Sequence, residues 1–191
     1  QAEQALQRAE EKYRNIFENA VEGIFQSTRE GRFLNVNSAM ARIYGHASPE
    51  VMIASIGDDI GHKIYADPER RAEFIRILEE RGVLRDFEAP NLRQDGTSIW
   101  TRTSTRAVRD SAGALLYYEG FVEDVTERRR TLESLRASEE RLTAQYKGIP
   151  IPTYTWRKSD QDFVLINYND AAYTFTHGQI THLLRGTARE L

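Results

Sequence analysis

Over residues 1–20 apolar positions recur every three or four residues. Leu6, Ala9, Tyr13, Ile16, Phe17 and Ala20 form one stripe, and Glu3, Glu10 and Glu11 lie among polar residues on the other face, which predicts an amphipathic helix. The period then changes. Residues 23–28 and 33–36 read as strands joined by a turn at Arg29-Glu30-Gly31-Arg32, where glycine accepts positive φ easily, so the pair makes a hairpin. Residues 37–64 break into short helices. Asn37 or Ser38 can cap one that runs to Tyr44 and stops at Gly45, and Ser48-Pro49-Glu50 starts another. Asp67-Pro68-Glu69 opens a longer helix carrying Phe74, Ile77, Leu78 and Arg81, which Gly82 ends. Strands follow at 83–93, 98–109 and 115–125, separated by turns at Gln94-Asp95-Gly96-Thr97 and Asp110-Ser111-Ala112-Gly113. Long hairpins imply an antiparallel sheet with helices on one face, an α+β fold.

From Thr126 the helical period returns and holds to residue 147. Leu132, Leu135, Leu142 and Tyr146 sit on a heptad-like seam interrupted by Arg128 and Glu139, and Gly148-Ile149-Pro150-Ile151-Pro152 ends the helix. The tail then repeats the beginning. Leu165-Ile166-Asn167-Tyr168-Asn169-Asp170-Ala171 resembles Phe33-Leu34-Asn35-Val36-Asn37-Ser38-Ala39, with two asparagines flanking one apolar residue and an alanine following. A strand-like segment at 153–157 stands before this second copy, and a helix is expected over 179–191. The copy stops where its long helix and last three strands would begin, which leaves strand edges to be covered by another surface, such as a second chain.

Composition narrows the function. The 191 residues are 40% hydrophobic and 29% charged, with a formal net charge of −3, so a real core is available and nothing favours nucleic acid. The chain holds no cysteine, which removes disulfides, thiol nucleophiles and thiolate metal sites. No apolar run approaches the roughly 20 residues of a membrane helix, and no signal peptide precedes the first charges, so a cytoplasmic piece of something longer is expected. Catalysis has no foothold. Asp58-Asp59 and Glu79-Glu80 are adjacent pairs that point apart, His177 and His182 have a poor spacing for a metal, and neither a Gly-x-Ser-x-Gly nor a phosphate-cradling loop is present. The expectation is no catalytic residue and no metal site.

One set of residues is specific. Arg93-Gln94-Asp95-Gly96, Ile99-Trp100, residues 110–113, Gly120 and Asp124-Val125-Thr126-Glu127-Arg128, with Asn35, Asn37 and Tyr44-Gly45 upstream, resemble the PAS sensory family. The resemblance covers about residues 13–128, with a truncated second match at 148–191. It implies a five-stranded antiparallel sheet cupping a cavity beneath its helices, flanked by an N-terminal helix at 1–20 and a linker helix at 126–147. It also implies a parent protein with an output domain such as a histidine kinase or a nucleotide cyclase.

Two candidate sites follow. At the corner where the last strand meets the outgoing helix, the Thr126 hydroxyl can cap the helix and Asp124 can accept from amides of the next turn, which would couple strand distortion to helix orientation. For the cavity, alternation separates two faces of each strand, and the resemblance of Val122 to the family's position two before the aspartate implies that Tyr118, Gly120 and Val122 face inward, with Phe87, Ala89, Asn91, Thr101 and Thr103 on neighbouring strands, while Met40, Ile43, Ile56 and Phe74 would come from helices. A buried Asn91 amide needs partners, which a ligand, a water or the core itself can supply. The flavin-binding branch of the family uses a reactive cysteine, so its photochemistry is excluded here. The haem-binding branch uses a histidine on the long helix, and residues 68–81 have none. His62 falls just before that helix and His46 follows a glycine, both reading as surface residues. A small-molecule sensor that biases helix packing in a homodimer is one reading. A purely structural dimerisation module held by the flanking helices is the other, and a pocket enzyme using Asn91, Thr101 and Tyr118 lacks a good general base.

Overall fold

A computed structural model describes residues 2–159 and 163–184, and the chain divides into two compact units, residues 1–129 and 130–191. In the first, α1 (Ala2–Asn19) precedes a hairpin of β1 (Gly23–Ser27) and β2 (Phe33–Val36). The helices α2 (Ser38–Ile43), α3 (Pro49–Ile56), α4 (Ile60–Ile64) and α5 (Pro68–Arg81) follow, then β3 (Val83–Leu92), β4 (Ser98–Arg109) and β5 (Leu115–Asp124). All pairings are antiparallel, in the order β2-β1-β5-β4-β3, so the first and last strands of this unit meet at the sheet centre. This is the α+β architecture that the hydrophobic pattern predicts.

The local signals do what their chemistry suggests. Ser48 Oγ accepts from Val51 N at 3.3 Å, with Pro49 opening α3. Asp67 Oδ1 accepts from Glu69 N at 2.9 Å to begin α5, and Gly82, at φ 71°, ends it. In the β3–β4 turn Asp95 Oδ1 takes the Thr97 amide at 2.9 Å and its hydroxyl at 2.7 Å. Inward residues of the sheet and the buried faces of α2–α5 form one core, which includes Phe25, Met52, Phe74, Leu78, Phe87 and Tyr118.

Asn37 fastens the entry to this core. Its side chain is fully buried. Oδ1 accepts from Ile24 N and Met40 N, both at 2.9 Å, while Nδ2 donates to Phe17 O at 2.8 Å and Glu22 O at 3.0 Å. One amide therefore joins α1, the segment after it, β1 and α2. The apolar stripe of α1 is engaged only at this end. Phe17 is buried, whereas Leu6, Tyr13 and Ile16 are about 60% exposed. The helix is amphipathic, but most of its stripe stays uncovered among the described residues.

In the second unit, β6 (Tyr154–Lys158) and β7 (Phe163–Tyr168) form a hairpin that follows α6 (Thr126–Lys147) and leads into α7 (Asp170–Phe175) and α8 (Ile180–Leu183). Asn169 repeats the arrangement of Asn37. Its Oδ1 accepts from Thr153 N and Ala172 N, both at 2.9 Å, and its Nδ2 donates to Ile149 O at 2.9 Å and Ile151 O at 2.8 Å. The expected helix over 179–191 is a single short turn at Ile180–Leu183, and residues 185–191 lie outside the described residues.

Candidate functional site: a packed inner face and a clasped corner

The inner face gathers the pocket candidates of the sheet and helices into one place. Met40, Ile56, Phe74, Phe87, Asn91, Thr101, Thr103, Tyr118 and Val122 are all buried, and Ile43 is half-buried against them. Gly120 lies in the same row as Phe25 and Thr105, where a side chain would strike Ser104 O at 2.3 Å. Asn91 sits at the polar centre of this face. Its Nδ2 donates to the Tyr44 hydroxyl at 2.7 Å, and its backbone bridges to Tyr65. Burial pushes the Tyr44 hydroxyl above its ordinary value, so it stays neutral. Asn91 Oδ1 has no partner, nor do the buried hydroxyls of Ser27 and Thr105. A buried acceptor left unpaired costs on the order of 1–3 kcal/mol.

A groove of about 840 Å³ opens on the opposite face. Ile24, Gln26, Ser104, Arg106, Glu119 and Phe121 wall it, and Tyr13 and Ile16 of α1 close one side. These strand residues alternate with the buried set, which puts them on the outer face of the sheet.

His46 corrects the sequence reading. It is buried rather than on the surface, because the chain after Gly45 turns back and His46 N donates to Ala41 O at 2.8 Å. Its Nδ1 has no partner, and burial lowers its pKa, which keeps the ring neutral. His62 is exposed, with Nδ1 2.7 Å from Asp59 Oδ1. Among the described residues no cluster of three His, Asp or Glu could hold a metal.

The corner between β5 and α6 is tightly clasped. Asp124 Oδ1 accepts from Thr126 N at 2.9 Å, and Oδ2 accepts from Arg93 Nη2 at 2.9 Å. Arg93 Nε donates in turn to Ile43 O at 3.0 Å, so the carboxylate is tied to the end of α2. Partial burial works against the charged carboxylate, but the bonds from Thr126 and Arg93 outweigh it and hold the Asp124 pKa below its ordinary value. The Thr126 hydroxyl departs from the expected helix cap. It reaches across to β4, where it accepts from Trp100 N at 2.9 Å. Trp100 lies directly alongside the corner and offers its amide to that hydroxyl. The sequence reading placed Asp124 and Thr126 here but missed Arg93 and Trp100, whose partners are 31 and 26 positions away.

Comparisons with known proteins agree with this architecture. Residues 11–125 match the family model described as the PAS fold. The PAS domain of a protein from Colwellia psychrerythraea is 18% identical, with 62% of this chain and 98% of that one covered and a TM-score of 0.53. A sensory box histidine kinase/response regulator from Burkholderia thailandensis E264 is 25% identical, covering 69% of this chain and 97% of that one with a TM-score of 0.50. Among curated proteins, the sensor histidine kinase TmoS of Ectopseudomonas mendocina is 24% identical over 142 residues, 72% of this chain. The uncharacterized protein y4lL of Sinorhizobium fredii is 25% identical over 97% of it. The chain spans 14% and 21% of the length of these two relatives. No described helix is long and apolar enough to cross a membrane. With its sheet, its inner face and its corner in place, the chain belongs to the PAS family of sensory, non-catalytic modules.

Proposed function

We propose that the chain is a sensor-and-relay segment of a multidomain cytoplasmic signalling protein. Residues 13–128 detect a small molecule, and α6 carries the change toward an output domain such as a histidine kinase or a nucleotide cyclase. The observation that carries the relay is the clasp, in which one carboxylate bonds the helix start and an arginine held by α2. A ligand that prefers one shape of the inner face would shift the corner's populations by its differential affinity. The unpartnered Asn91 carbonyl supports a hydrogen-bond donor on that ligand. The fourfold bonding of Asn169 supports reading residues 148–191 as the start of a second PAS domain.

A structural dimerisation module without ligand is the second reading. It is favoured by the exposure of Leu132, Leu135 and Leu142 along α6, a seam through which two copies of the chain would pair.

The two readings separate in one experiment. Denaturing the purified chain and analysing the supernatant by mass spectrometry is expected to release a small organic molecule. Adding that molecule back at about a hundred times its Kd should stabilise the domain by ~2.7 kcal/mol. Asn91→Leu should abolish that stabilisation while the variant itself stays folded. No released molecule, and no thermal shift from a metabolite panel, would leave only the dimerisation module.

A further inference from the structure

Residues 125–129 grip a single residue of β4 in three ways. Trp100 N donates to Thr126 Oγ1 at 2.9 Å, Trp100 O accepts from Val125 N at 2.9 Å, and the Arg129 guanidinium lies over the indole ring at 3.8 Å. Arg129 also donates through Nη1 to Glu88 Oε2 at 2.7 Å, and Glu88 belongs to β3, the neighbouring strand. The first turn of α6 is thus fastened to two strands by one side chain.

The placement of that arginine is otherwise unfavourable. Arg128, Arg129 and Arg130 crowd the start of α6, where the helix dipole is positive and repels cations. An arginine held there by a carboxylate and an aromatic face has its repulsion offset by both partners. Guanidinium suits this double contact because it is planar, stacks on indole and still presents N–H donors at its edge.

The other side of Trp100 leads to the core. Ile99 and Thr101 flank it in sequence and are buried on the inner face, while Trp100 points outward. Trp100 shares its two peptide units with these residues. A displacement of β4 beneath the helices therefore moves the indole and both backbone groups that hold the start of α6.

We infer that Trp100 is the transmission residue of the domain and Arg129 the latch that reads it, both acting as positioning residues for α6. This rests on the relay reading and goes beyond the Asp124 clasp, because it makes the outgoing helix follow β4 as well as β5.

Amide hydrogen exchange on the full chain tests it. Arg129→Gln is expected to speed exchange in residues 129–133 by about tenfold, with β3, β4 and β5 unchanged within about twofold. Glu88→Gln, which keeps the stacking and loses the charge, should give a smaller rise at the same amides, and Arg129→Lys should recover part of the protection. Unaltered exchange in α6 for both Arg129→Gln and Glu88→Gln would overturn the latch, as would an equal rise throughout the domain. Asp124→Ala in the same assay keeps the two ideas apart. If it loosens α6 while Arg129→Gln does not, the latch fails and the relay stands; if neither loosens α6, the relay itself fails.

Discussion

Asn37→Ala is expected to remove most of the stability of the first domain. The substitution deletes the four hydrogen bonds of a side chain that is itself fully buried. It strands the Met40 amide and the Phe17 carbonyl at buried bonds, each at a cost on the order of 1–3 kcal/mol, while the Ile24 amide and the Glu22 carbonyl are only partly buried and lose less. Some relaxation will recover part of that, leaving a loss of about 3–5 kcal/mol out of a total that for such domains is only about 5–15 kcal/mol. Thermal melting followed by circular dichroism should show Tm lower by about 15 °C or more. A drop of only a few degrees would mean that Asn37 acts as an ordinary helix cap, worth about 1 kcal/mol, and does not knit α1, β1 and α2 together.

Asp124→Ala should act on stability and on the exit helix together. The carboxylate is partly exposed, so its ion pair with Arg93 is screened and contributes less than a buried one. The loss of that pair and of the Thr126 bond is expected to cost ~2 kcal/mol. The same carboxylate sets a pH dependence. Its pKa is lower in the folded state than in the unfolded chain, so its contribution is complete above the unfolded value of about 4 and is lost as pH falls through the folded value. Wild-type stability should therefore fall on acidification below about pH 4 more steeply than that of Asp124→Ala. Parallel pH profiles for the two proteins would show that Asp124 is not a clasp.

The parts of this account that were legible in the sequence share a physical basis. Alternation along β4, β5 and the second half of β3 separates the two faces of the sheet, and the resemblance at Val122 says which is the inner one; the irregularity between Leu84 and Phe87, which puts both in the core, has no signal in the pattern. The Asn37 and Asn169 motifs were visible as a repeat because the chain builds the same turn twice, each time with an asparagine that both caps a helix and ties back a strand. What could not be read is what joins distant segments. Arg93 and Asp124 are ordinary surface-type charges in the linear order, and only the crossing of β5 between β1 and β4 brings them together. Thr126 looked like a cap because threonine before a helix usually is one, whereas tertiary contact with Trp100 claims its hydroxyl. His46 looked exposed because its glycine neighbour signals a turn, yet that turn folds inward. The stripe on α1 predicted burial that its own domain supplies only at Phe17.

The central claim is that a change on the inner face reaches α6. Thr101→Val tests it directly, since the two side chains have nearly the same shape and Thr101 is buried in the core with its hydroxyl 3.5 Å from Ala89 O. Hydrogen exchange of the full chain should show protection in residues 129–133 altered by about threefold or more, while the amides of β2 and α3 keep theirs. Altered exchange confined to β3 and β4, with α6 identical to wild type, would contradict the relay.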